Sequence, residues 1–187
     1  MSTAPEILKD AVHKMERAVD VSRDEFATVR TGRASPSILN RITVDYYGAP
    51  TPLNQLASFS VPEPRLLVIQ PFDRNSIAAI EKAIMQSDLG LTPSNDGQLI
   101  RLAFPPLTEE RRKELTRVVR ERAEDGRVAV RNVRRHAKEE LERLEKNHEI
   151  SEDELARAEK ELQKHTDEHV AKIDDLVAHK EKELMEV

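Results

Sequence analysis

Lys113, Arg117, Arg120, Arg127, Arg131, Arg134 and Lys138 recur at alternating intervals of four and three, with only Glu124 breaking the series. On a helix that spacing puts every member on one stripe. The surrounding stretch, 111–135, holds ten Lys or Arg against four Asp or Glu, and "VRNVRR" (130–135) crowds three arginines with no acid among them. A guanidinium presents a planar fork that matches phosphate oxygens, so such a row suits contact with a nucleic-acid backbone. The same row also suits a second reading, in which the cations flank a helical seam and pair with acids on a neighbouring helix. The apolar stripe of this segment is Leu115, Val119, Val130, Val133, Ala137, Leu141 and Leu144, and the cations lie about 100° round from it, beside the seam rather than opposite it.

Other chemistries find less support. His165 and His169 stand four apart and could share a metal on one helix face, but no third ligand follows in a known pattern, so they read as polar helix positions. "TGRAS" (31–35) lacks the glycine spacing and lysine of a phosphate-cradling loop. Ser35, Ser37 and Ser60 have no histidine at a recognisable spacing. The chain has no Cys, which excludes disulfides, thiolate metal sites and thiol nucleophiles. An enzyme housed in the middle of the chain would need a polar pocket, for which that region offers only Asp45, Asp73 and scattered arginines. The expectation is no catalytic residue, no metal and no cofactor.

These residues must be positioned by long helices. Charged residues are 35% and apolar residues 38% of the 187, which favours amphipathic helices over a thick globule. Leu8, Val12, Met15, Val19, Ser22, Phe26 and Val29 predict a first helix over 3–30, with Pro5 in its first turn and Gly32 as its stop. Between 32 and 106 the character changes, and nearly all the prolines and glycines fall there. Alternation predicts strands at 42–46, 56–61 and 65–70, with 48–53 as a turn and edge segment. Asp73 caps a short helix at 74–87 whose inner face is Ile77, Ile80 and Ile84. "LGL" (89–91), a turn at 93–97 and 99–104 read as a closing ribbon. Pro105-Pro106 ends the module, and a helix runs from 108 to about 147. Ser151 to Glu154 is a capping box opening a last helix to about 185, with Leu155, Leu162, Ile173, Leu176 and Leu184 on its apolar side.

The expected fold is therefore α+β. Residues 1–31 and 106–187 form an elongated three-helix bundle, because no single amphipathic helix can bury its stripe alone. Residues 32–105 form an inserted β/α/β domain hung from two adjacent strands of chain. Thr31, Gly32, Ala34, Ser35, Phe104, Pro105 and Pro106 are the expected hinge. Aromatics are 3%, too few for a base-stacking platform. The net charge of -5 argues weakly against nucleic acid as a whole-protein property. No segment has the apolar length of a membrane span, and the N-terminal residues carry Glu6 and Asp10 rather than an apolar signal core, so a cytoplasmic location is expected.

"VRTGRASPS" (29–37), "EKAIMQSDLGL" (81–91), "PPLTEERRKEL" (105–115) and "VRNVRR" (130–135), in this order and spacing, resemble the ribosome recycling factor family over essentially the whole chain. His136 stands where the family pattern has an acidic residue. The resemblance implies a near L-shaped molecule with a flexible elbow, which acts after translation termination. It implies that the protein, with elongation factor G and GTP, splits the post-termination ribosome into subunits and hydrolyses nothing itself. It implies that the bundle binds ribosomal RNA of the large subunit and that elongation factor G moves the second domain. On that reading the RNA-binding residues are Arg30, Arg33, Arg127, Arg131, Arg134, Arg135 and Lys138, and the protein is a monomer that binds neither DNA nor membrane. The competing readings are a coiled-coil interaction or scaffold protein with a basic helix face, and an enzyme in the β/α module.

Overall fold

The computed structural model describes residues 2–186. The chain divides into two compact units, residues 2–30 with 109–186 and residues 31–108.

The first unit is three helices, α1 (Ala4–Ala27), α3 (Glu109–Lys146) and α4 (Glu152–Met185), each packed on the other two. α3 has 38 residues, about 57 Å at 1.5 Å per residue. Capping boxes start α1 and α4: Thr3 with Glu6, and Ser151 with Glu154, each pair satisfying two amides that the helix leaves without partners. α1 stops at Ala27, three residues short of the expected end and well before Gly32. The Thr28 hydroxyl donates to the Glu25 carbonyl at 2.6 Å. The last turn of α1 has no basic residue of its own. Arg122 of α3 supplies one, donating from Nη1 to the Glu25 carbonyl at 2.9 Å and to Thr28 Oγ1 at 3.0 Å. A cation there complements the negative end of the helix.

The bundle core is wider than the apolar spacing suggested. α1 buries Ile7 and Ala11 beside Leu8, Met15, Val19, Ser22 and Phe26, while Val12 is half-buried. α3 buries Ala123 and Gly126 within its stripe, and Val133 is half-buried rather than core. On α4, Leu155 and Leu176 are half-buried, and Ala158, Thr166, His169 and Val177 complete the stripe with Leu162, Ile173 and Leu184. His169 is thus a core residue, only 3% exposed. Its Nδ1 lies 2.6 Å from the His165 carbonyl oxygen. Among the described residues no group of three metal-ligating side chains occurs.

The second unit holds two antiparallel sheets. β1 (Thr43–Tyr46) and β2 (Ala49–Pro52) form a hairpin, and β3 (Ala57–Glu63), β4 (Leu66–Pro71), β5 (Pro93–Asn95) and β6 (Ile100–Ala103) form a four-stranded sheet in the order β3-β4-β6-β5. The segment expected as a turn and edge is therefore a strand, β2. The closing ribbon uses 93–95 rather than 89–91 as its first arm. Its turn is drawn shut by Asp96, which accepts from the amides of Leu99 and Gln98 and from Arg101, and these bonds hold its carboxyl down at about 2. Asp73 caps a single 3₁₀ turn (Arg74–Ser76) before α2 (Ile77–Gln86), whose Ile77, Ile80 and Ile84 enter the core with Val44, Leu67, Ile69, Ile100 and Leu102.

The entry and exit segments of this unit hang from one hairpin turn. The Ala34 amide donates to the Pro64 carbonyl at 2.8 Å, and the Phe104 amide donates to the Arg65 carbonyl at 2.8 Å. Gly32 has φ +74, and a Cβ there would meet Leu107 Cγ at 3.0 Å. Backbone sign and close approach both require glycine.

Gly126 is required for a different reason. A Cβ there would overlap the buried Ser22 hydroxyl of α1 and meet Ile173 Cδ1 of α4 at 3.2 Å. Gly126→Ala gains about 1 kcal/mol of helix propensity but overpacks the contact, at a cost of about 1–3 kcal/mol. The expected net result is a less stable bundle in denaturant unfolding. Adding Ser22→Ala, which removes the overlapping oxygen, is expected to recover most of the loss. Independent, additive effects of the two substitutions would rule the contact out as the cause.

Candidate nucleic-acid interface

The cationic row of α3 lies along the seam with α4; Lys113 and Arg117 pair with Glu109 and Glu121 of their own helix, and Arg120 and Arg127 pair across the seam. Arg120 Nε donates to Glu181 at 2.6 Å. Arg127 reaches Asp174 through Nη2 at 2.7 Å and Glu124 through Nη1 at 3.2 Å. Its side chain is only 22% exposed. Burial pulls this guanidinium down, and the bonds to Asp174 and Glu124 more than offset that, so it is held above its ordinary value. For Arg120 and Arg127, then, the bridging of a helical seam anticipated from flank charges is what the structure contains.

Further along α3 the pairing loosens. Arg131 Nη1 is 3.2 Å from Glu124 of its own helix. Lys138 Nζ stands 3.8 Å from Glu142 and 3.9 Å from Glu159 of α4, near the limit of an ion pair. Arg134 Nη1 donates to a neutral group, Gln163 Oε1 of α4, at 3.1 Å. Arg135 makes no hydrogen bond or ion pair among the described residues. These last four cations converge. Arg131, Arg134, Arg135 and Lys138 line one open groove of about 560 Å³ between α3 and α4, floored by Leu162 and closed on the α4 side by Glu159 and Gln163.

The remaining expected residues lie elsewhere. Arg30 and Arg33 are exposed on either side of the point where the chain passes from one unit to the other. Of the expected hinge residues, Ala34, Ser35 and Phe104 are built into the second unit: Ala34 and Phe104 through their amides, and Ser35 through an oxygen that accepts from the Ser37 amide as the cap of a 3₁₀ turn. Pro105 and Pro106 are exposed.

Arg122, which ties α3 to the end of α1, was not singled out from sequence, nor were the α4 partners. The α4 partners carried a signal. Asp174 and Glu181 are seven apart, as are Arg120 and Arg127, the match expected for antiparallel helices. His169 also had one, since Leu162, Thr166, His169 and Ile173 follow the 4-3-4 spacing of a buried stripe.

Comparison with known proteins gives one result throughout. A family model described as ribosome recycling factor matches residues 22–185. The chain is 60% identical over 182 residues to the ribosome-recycling factor of Geobacillus sp. (strain WCH70), covering 97% of this chain and 98% of that one. It is 56% identical over 180 residues to that of Acidothermus cellulolyticus. A solution structure of a ribosome recycling factor aligns over 100% of both chains with a TM-score of 0.75 and 46% identity. The T. thermophilus ribosome recycling factor, in models of that factor and E. coli elongation factor G bound to the E. coli post-termination complex, aligns over 98% of this chain with a TM-score of 0.65 and 50% identity.

The Arg127 cluster can be weighed by a double-mutant cycle. Arg127→Ala is expected to cost about 1–2 kcal/mol, since it removes a packed stem as well as a charge. The coupling to Asp174→Ala is expected to stay within about 1 kcal/mol, because the carboxylate is half in water. Chemical denaturation of the two single variants and the double variant measures both. A single-variant loss no larger than the coupling would show that the stem does not pack.

Proposed function

The chain belongs to the ribosome recycling factor family, and on that premise we propose that it binds the post-termination ribosome and, with elongation factor G and GTP, promotes its splitting into subunits. The first unit makes the contact, with ribosomal RNA of the large subunit. Arg131, Arg134, Arg135 and Lys138 meet backbone phosphates, and Arg30 and Arg33 add contacts near the junction. Arg127 serves chiefly to hold α3 on α4. Elongation factor G moves the second unit, about a joint centred on Thr31, Pro105 and Pro106 and flanked by Gly32, Ala34, Ser35 and Phe104, which the second unit holds. GTP is hydrolysed by elongation factor G and nothing is hydrolysed by this chain, which acts as a monomer in the cytoplasm. Among the described residues no helix is long and apolar enough to cross a membrane.

The observation that carries this reading is the gathering of four cations in a single open groove of the first unit, where Arg131 meets Glu124 at 3.2 Å and Lys138 stands 3.8 Å and 3.9 Å from Glu142 and Glu159, while Arg134 meets only a neutral amide and Arg135 has no such partner among the described residues. Phosphate contacts need cations that are held in place without being neutralised. A scaffold reading retains one observation in its favour: Arg120 and Arg127 are paired with α4 acids, as cis-acting flank charges would be.

The deciding measurement is a subunit-splitting assay with elongation factor G and GTP, run with and without the protein; no gain in splitting would refute the reading. Arg134→Ala is expected to weaken binding to large subunits about ten- to hundredfold, the value of a charge-assisted bond of roughly 1.5–3 kcal/mol. The slope of log affinity against log salt is expected to fall by about one. Helix content and melting temperature should hold, because the side chain lost bonds only to an amide. Unaltered affinity with lowered stability would instead favour the scaffold.

A further inference from the structure

We propose that Gln163 is a positioning residue that preserves the charge of Arg134, by standing between it and the acid that the helix register assigns to it. The inference rests on the phosphate-binding reading of Arg134 given above. α3 and α4 run antiparallel, and their cross-seam pairs advance in steps of seven. Arg120 meets Glu181, and seven residues on along α3 and seven back along α4, Arg127 meets Asp174. One further step on each helix pairs Arg134 with Asp167. That ion pair does not form. Arg134 Nη1 donates to Gln163 Oε1 at 3.1 Å, and Gln163 Nε2 donates to Asp167 Oδ1 at 2.8 Å.

Gln163 and Asp167 are one turn apart on the same face of α4, so the amide can reach both the carboxylate behind it and the guanidinium in front. An amide has an acceptor end and a donor end, and here each is used on the group that needs it. The acceptor orients Arg134, and the donor occupies the carboxylate oxygen that would otherwise take the guanidinium. Neither bond adds a charge beside Arg134. Arg120 and Arg127, by contrast, each touch a carboxylate directly, at 2.6 Å and 2.7 Å. Arg134 is the member of this series that is held and yet not neutralised. It sits in the groove with Arg131, Arg135 and Lys138, where an uncompensated cation adds to the field that attracts a polyanion. A glutamate of nearly the same shape would put a charge on Arg134 and lose the donor to Asp167, so both ends of the amide matter at 163.

The test uses the full chain, isolated large ribosomal subunits at three salt concentrations, and a thermal melt of each variant. Gln163→Ala, which lets Arg134 fall onto Asp167, is expected to weaken binding about tenfold and to reduce the salt slope by about one. Gln163→Ala with Asp167→Asn is expected to recover affinity to within about threefold of the starting protein. Gln163→Glu is expected to weaken binding, because it sets a carboxylate directly against Arg134, with little net change in melting temperature, since that new ion pair is offset by repulsion from Asp167 one turn away. A residue that matters only to bundle stability would move affinity and melting temperature down together and leave the salt slope alone. Wild-type affinity in Gln163→Ala, or failure of the double variant to recover, overturns the proposal. Arg134→Ala is run beside them. Unaltered binding in that variant would defeat the phosphate-contact reading itself, whereas weakened binding there with normal Gln163→Ala would defeat only the role assigned to Gln163.

Discussion

The register of α3 against α4 is fixed by their buried seam, and the arrangement of the exposed charges follows from it. Val119, Ala123, Val130, Ala137, Leu141 and Leu144 of α3 pack with Ala158, Leu162, Thr166, Ile173, Val177 and Leu184 of α4 in one bundle core. Burying a single large aliphatic side chain is worth about 1.5–3 kcal/mol, against at most about 1 kcal/mol for an exposed ion pair. The salt bridges therefore do not choose the register; they take what it offers. Gly126 fixes the depth of the packing. With no side chain there, Ser22 of α1 and Ile173 of α4 both come up to the α3 backbone. A sequence can hold cations every seventh residue on one helix and acids every seventh on another only if the helices neither slide nor separate, and the buried seam that closes around this contact resists both.

A net charge of -5 does not bar a protein from binding a polyanion, because charges act locally. At physiological ionic strength exposed charges are screened beyond about 8 Å. What a phosphate meets is then decided by the nearest few side chains. Along α3 those neighbourhoods differ by chemistry rather than by count. Arg127 is flanked by Glu124 and Asp174 and is mostly covered. Arg134 is flanked by an amide. Arg135 has no such partner among the described residues. One stripe of like residues is thus divided into cations that fasten two helices and cations that remain available, and on the proposed reading only the second kind meets RNA.

How much of this could be read from the sequence follows the range of each interaction. The capping box at Ser151, the α2 face at Ile77, Ile80 and Ile84, and the long helices were legible, because each depends on residues within a turn or two of one another; the box at Thr3 and Glu6 has the same short range but was passed over. The end of α1 was not. Local signals pointed to Gly32, whereas the helix stops at Ala27, where Thr28 and Arg122 take up the Glu25 carbonyl; Arg122 is ninety-odd residues away in sequence. β2 was missed because Pro50 and Pro52 suppress a strand reading, yet pairing with β1 along one edge tolerates them. In the interface, the positions of Arg131, Arg134, Arg135 and Lys138 on one face were legible from their spacing. Which of the cations are neutralised was not, since that depends on what α4 places opposite each of them.

The same argument from range bears on where the chain can bend between its two units. The segments 31–35 and 104–106 looked like connectors because they are rich in glycine, serine and proline. Ala34 and Phe104 are in fact tied by their amides to Pro64 and Arg65, and Gly32 is packed on Leu107 with a backbone that only glycine adopts readily. A residue whose amide and whose φ are both determined by one unit moves with that unit. On the α1 side, Val29 still donates to the Phe26 carbonyl, so it moves with the helix. Little more than Arg30 remains between Val29 and the second unit, which begins at the buried Thr31. On the return path the chain runs through Pro105-Pro106, which can extend no sheet ladder and has fixed φ at two successive positions. On the proposed reading, any bending of the chain between the two units is therefore confined to the few dihedrals that neither unit's own bonds determine.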